Sequence, residues 1–166
     1  LFSPDTELGR WLATRNTMLR IGRNLFVHAG LSARLLERDL EMDTLNARMS
    51  EGLYRTSKER REDPTLEFLY RSAGPVWYRG MVCTDEKYDP LTPEQTDALL
   101  RRYDADRLLV GHTIFPDIST FHDGRVIAVN VQNELNRRKN RGRAVLIEGS
   151  RISVVGNRGV KRVLEE

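Results

Sequence analysis

Cysteine is nearly absent from this chain: Cys83 stands alone, which excludes an internal disulfide and leaves the redox compartment open. Lysine is scarce as well. Only four lysines contribute to a Lys plus Arg total of 27, so arginine carries nearly all of the positive charge. No apolar run approaches the roughly 20 residues that a membrane span needs. Neither an internal repeat nor a low-complexity linker interrupts the sequence, and no signal peptide opens it. The first residues, Leu1-Phe2-Ser3, lack a methionine, so a fragment or processed form is expected. What remains is a chain of 166 residues, 39% hydrophobic and 31% charged, with a net charge of +3. That balance is globular, and the length suffices for one domain with a real core. The charge is too small to argue for a dedicated nucleic-acid role, and the cytoplasm is favoured over the periplasm.

Two histidines stand out because each follows an apolar run beside glycine. The first lies in Leu25-Phe26-Val27-His28-Ala29-Gly30-Leu31-Ser32, the second in Leu108-Leu109-Val110-Gly111-His112-Thr113. Each reads as a short buried strand that delivers a polar side chain at its tip, with glycine allowing close approach to the backbone. Two imidazoles offered from separate strands suit a metal site at one rim of a sheet.

The remaining elements follow from local signals. Ser3-Pro4-Asp5 predicts a helix start, with Leu8, Trp11 and Leu12 facing inward and an end near Asn16. Residues 17–21 and 25–28 read as strands around Gly22-Arg23-Asn24. Residues 33–71 read as helical and highly charged, with a restart at Asp63-Pro64. Gly74-Pro75-Val76-Trp77-Tyr78-Arg79-Gly80 marks a shaped aromatic loop. Thr92-Pro93-Glu94-Gln95 has capping-box spacing and opens a helix to about Tyr103. Strands flanking His122-Asp123-Gly124 and Gly149-Ser150 predict two hairpins, and the tail from Asn157 is expected to be loosely held.

This order of elements, with His28-Ala29-Gly30-Leu31-Ser32 first and Gly111-His112-Thr113 later, resembles the C-terminal half of the calcineurin-like metallophosphoesterases. It is most similar to their phosphoprotein phosphatase branch and its bacterial Shewanella-like group. The resemblance implies an α/β fold, half of a two-sheet β-sandwich flanked by helices, with residues 1–166 forming a partial domain. It implies a dinuclear phosphatase acting on phosphate monoesters, including phosphoprotein. His28 and His112 would bind one of two divalent ions, Mn, Fe or Zn, and Arg79 would clamp the phosphate. The family's Asp-X-His, Gly-Asp-X-X-Asp-Arg and Gly-Asn-His-Glu motifs do not occur here. On that reading the chain alone is inactive and holds no metal firmly, and it self-associates or meets a missing N-terminal segment. Its expected partner is a phosphorylated small molecule or protein.

Two rival functions stand beside this one: hydrolysis of a nucleotide or dinucleoside polyphosphate, and a noncatalytic RNA-binding module built on the basic stretch 137–143. Simpler uses stand beside the sharp ones too. Histidines at strand ends often serve structure, and Arg79 could stabilise its own loop. His122 reads as an ordinary turn residue, Trp77 as packing under its loop, and Cys83 as a free thiol.

Overall fold

The computed structural model describes residues 1–165 and shows a five-stranded mixed sheet, a three-stranded antiparallel sheet, and helices against one face. The larger sheet has the order β1-β2-β3-β5-β4. Its strands are β1 (Met18–Ile21), β2 (Asn24–Val27), β3 (Arg107–Val110), β4 (Ser119–Phe121) and β5 (Val126–Ala128). β1 and β2 form a hairpin, and Gly22 takes the positive φ that its turn requires. β2, β3 and β5 run parallel at the centre, and β4 folds back antiparallel on β5.

Strand periodicity divides the core in two. Leu25, Val27, Leu108, Val110, Val126 and Ala128 point to the helical side, while Phe26, Leu109 and Ile127 point to the other. On the helical side lie α2 (Met42–Gly52), α4 (Pro64–Tyr70) and α5 (Pro93–Arg102). In α5 the buried positions Thr96, Leu99 and Leu100, with Tyr103 at the C-cap, recur at helical spacing, and Thr92 with Gln95 closes the expected capping box. Asp63 caps α4, with Pro64 at its first position, as the sequence indicates. Asn46 of α2 reaches β1: its Oδ1 accepts from Met18 N and its Nδ2 donates to Met18 O, both at 2.9 Å.

The second sheet, β6 (Arg143–Glu148), β7 (Arg151–Gly156) and β8 (Lys161–Glu165), packs Ile152 and Val154 onto Leu109, Ile118 and Ile127. It leaves part of the larger sheet uncovered. An apolar cleft of about 890 Å³ runs between Leu19, Ile21 and Phe26 on one side and Val145 and Ile147 on the other. Leu19 is 45% and Ile21 60% exposed there.

Several expectations need correction. The helix near the N-terminus is α1 (Glu7–Ala13), capped by Thr6 rather than Ser3. It docks through Gly9, whose carbonyl accepts from the Tyr54 hydroxyl at 2.6 Å, so Leu8 and Trp11 face outward. The helical stretch breaks into a 3-10 turn over Ala33–Arg38, then α2, α3 (Ser57–Arg61) and α4. The tail is not loose, because residues 161–165 pair with β7 as β8. The basic stretch begins within α6 (Asn133–Arg138), and its cations are held locally: Arg138 pairs with Glu134 and Arg143 with Asp117. Arg141 donates to Asn136 Oδ1 at 3.0 Å, so the stretch is partly helix and partly tied down instead of the free loop that the RNA-binding alternative supposes. No helix among the described residues is long and apolar enough to cross a membrane.

Candidate functional site

Parallel pairing brings the two histidines together. Val27 of β2 is in register with Val110 of β3, and the ladder continues one step further, with Gly111 N donating to His28 O at 2.8 Å. Gly111 sits close to that carbonyl; a Cβ there would lie 3.2 Å from His28 O. Beyond it, His112 adopts a left-handed backbone with φ of 60°, uncommon for a residue with a side chain. The turn leaves His112 Nδ1 3.1 Å from His28 Nε2, with ring centroids 5.0 Å apart. One nitrogen must donate and the other accept, so the contact holds only while at least one of the two faces offers a lone pair.

The aromatic loop supplies the other wall. Ala29 N and Gly30 N both donate to Pro75 O, at 3.0 and 3.4 Å, which docks the loop against the end of β2. Tyr78 is buried and anchors the loop by donating from its hydroxyl to Asp89 O. That anchor turns its neighbours outward: the Trp77 ring meets His112 edge-on at 5.5 Å, and Arg79 Nη1 donates to Thr113 Oγ1 at 3.1 Å. Trp77 is 55% exposed, so it lines the site instead of packing beneath the loop. His112 Nε2 is buried in this cluster with no hydrogen-bond partner. Burial, then the Arg79 charge, then His28 hold the His112 imidazole below its ordinary pKa.

The structure therefore brings His28, His112 and Arg79 into one cluster, as the sequence suggests. Thr113 and Trp77 join them; the sequence carried Thr113 in its motif without a role. His122 lies elsewhere and ties its turn to the helical side, with Nδ1 3.2 Å from Thr96 Oγ1 and Nε2 3.1 Å from Met81 O. Cys83 is half-buried and packs against the core.

Among the described residues no group of three or more His, Cys, Asp or Glu side chains could hold a metal ion. His28 and His112 face each other without a carboxylate to complete a ligand set. The expected Mn, Fe or Zn ligation, and the two-ion centre it belonged to, is corrected on that ground.

No family model matches the chain, and no curated protein matches it. Solved structures do. The chain is similar to cold-active protein tyrosine phosphatase, in a structure at 1.1 Å, with 29% identity and a TM-score of 0.88 over 99% of this chain and 46% of that one. A point mutant of a cold-active protein tyrosine phosphatase and the enzyme of a psychrophilic Shewanella sp. each match at 28% identity, a TM-score of 0.87 and 47% of their length. These structural neighbours are phosphatases. The chain spans about half the length of the solved structures that it matches. The name these neighbours share, protein tyrosine phosphatase, corrects the assignment to calcineurin-like metallophosphoesterases. The dinuclear mechanism goes with it, and so does the nucleotide-hydrolase alternative.

Proposed function

We propose that the cluster at the ends of β2 and β3 binds the phosphate of a phosphate monoester and serves its hydrolysis, with phosphotyrosine on protein as the substrate. The observation that carries this reading is the orphaned His112 Nε2 beside a guanidinium. A buried polar atom without a partner costs about 1–3 kcal/mol, a cost that a bound oxyanion offsets. With His28 donating to His112 Nδ1, the proton of His112 resides on Nε2, which then donates to a phosphate oxygen. Arg79 keeps donors beyond the one spent on Thr113 and meets other oxygens of the same group, opposing charge as it develops. His28 is exposed and within hydrogen-bond reach of His112, so His112 Nε2 can give its proton to a leaving phenolate while Nδ1 takes the His28 Nε2 proton, and His28 Nδ1 then accepts the proton that the attacking water loses. Similarity to protein tyrosine phosphatases supports the substrate class.

Isothermal titration with inorganic phosphate tests the site. Replacing Arg79 by Lys keeps the charge but loses the planar fork, and affinity is expected to fall roughly tenfold. His112→Ala should weaken binding as well, while His28→Ala, which only frees the His112 tautomer, should weaken binding less and abolish turnover of p-nitrophenyl phosphate. Equal phosphate affinity in the wild type, Arg79→Lys and His112→Ala would remove the assignment. The same reading has the chain associating with itself through the open apolar cleft, a view supported by the exposure of Leu19 and Ile21.

A further inference from the structure

A groove of about 570 Å³ leads away from Trp77 and Arg79, and its walls are cationic. Arg34 comes from the 3-10 turn, Arg60 and Arg61 from α3, Arg71 from the end of α4, and Lys87 from the segment beyond the aromatic loop. Two of these charges are already matched: Arg71 pairs with Glu67 at 3.4 Å and Lys87 with Asp85 at 2.8 Å. The others are not. Arg60 donates only to backbone oxygens, Gly52 O at 2.9 Å and Leu53 O at 3.0 Å, and its guanidinium lies over the Tyr70 ring at 3.9 Å. Those bonds fix the cation in place without neutralising it. Arg34 and Arg61 are exposed and form no ion pair among the described residues. Asp89 lines the groove too, so three uncompensated guanidiniums besides Arg79 face one unpaired carboxylate.

We infer that this groove receives acidic residues flanking the phosphorylated residue, so that the preferred substrate is an acidic phosphopeptide. The inference rests on the phosphate-binding reading above, since Arg79 belongs to both the site and the groove. An extended peptide advances about 3.3 Å per residue, so carboxylates a few residues from the phosphate come level with arginines spread along the wall. Guanidiniums pair with carboxylates through two parallel hydrogen bonds, a geometry that favours Asp and Glu over neutral side chains. RNA is the poorer fit. Successive bases need several open aromatic faces for stacking, whereas Tyr70 is covered by Arg60, Tyr88 by Lys87 and Tyr78 is buried, which leaves Trp77 alone exposed among the aromatic rings of the groove.

The experiment compares two phosphotyrosine peptides of equal length, one with Glu and Asp flanks and one with Ser and Ala flanks, by fluorescence anisotropy at low salt. The acidic peptide is expected to bind roughly tenfold more tightly, with the margin shrinking as salt screens the groove. In the double variant Arg34→Gln, Arg61→Gln the two peptides should bind nearly alike, while affinity for inorganic phosphate stays at the wild-type value. Both positions are exposed, and circular dichroism checks that the variant folds. Equal binding of the two peptides by the wild-type chain, or a preference that survives the double variant, overturns the inference. So does tighter binding of a single-stranded RNA of the same charge. An unphosphorylated acidic peptide separates this inference from the phosphate site: if it binds and inorganic phosphate does not, the groove stands and the phosphate reading fails.

Discussion

The His112 imidazole is pressed toward its neutral form from three sides: burial first, then the Arg79 guanidinium, then His28. Its midpoint is expected below 6.5, the ordinary histidine value, when followed through its ring protons by NMR. Because the folded value lies below the unfolded one, neutral His112 contributes stability that is present above the unfolded pKa. That contribution is lost as pH falls through the folded value. Arg79→Ala removes a repelling charge and should raise the midpoint; bound phosphate should raise it too, by stabilising the imidazolium. A midpoint that moves with neither change means that Arg79 does not act on His112, and the shared phosphate site is then untenable.

At the scale of elements, the contact between α2 and β1 depends on one amide. Asn46 matches both polar groups of Met18, standing in for a strand neighbour on the side of β1 that has none. Asn46→Ala leaves a buried N–H and a buried carbonyl without partners, and urea unfolding should show a loss of about 2–4 kcal/mol. Asn46→Asp restores only the acceptor and should recover little. If Asn46→Ala costs less than a surface substitution, the bridge does not hold the sheet to the helix. Nothing in the sequence marks Asn46, which is one polar residue in a charged helical stretch. The strands were legible for the opposite reason: Leu25–Val27 and Leu108–Val110 are apolar runs bounded by turn residues, so their burial follows from composition alone. Likewise, α5 declared itself through its capping box. The pairing of His28 with His112 was legible because each motif repeats the same strand-end placement. The basic groove was not, since Arg34, Arg60, Arg61 and Lys87 meet only after α3, α4 and the aromatic loop have packed together.

At the scale of the whole molecule, the two sheets cover one another unequally. The smaller sheet shields β3 and β5 through Ile152 and Val154 and reaches Phe26 of β2, but leaves β1 open, where Leu19 and Ile21 stay in water. Burying apolar area is worth about 25 cal/mol per Å², and β1 is also an edge strand, with no strand neighbour beyond the Asn46 amide that takes up Met18. Both features favour a second copy of the chain on this side, where the cleft and the strand edge are contiguous. Light scattering coupled to size exclusion should show mass rising with concentration. Leu19→Lys with Ile21→Lys should shift the chain toward monomer, because each lysine would have to lose its hydration at the contact. His28 lines the mouth of the same cleft but neither Leu19 nor Ile21 is in the cluster that His28 forms with His112 and Arg79, so phosphate affinity measured beside the mass tells loss of association from damage to the site. A chain that stays monomeric across the accessible concentration range, with mass unchanged by the two lysines, would show that the cleft is simply solvated and that the smaller sheet covers all the apolar surface the fold needs to bury.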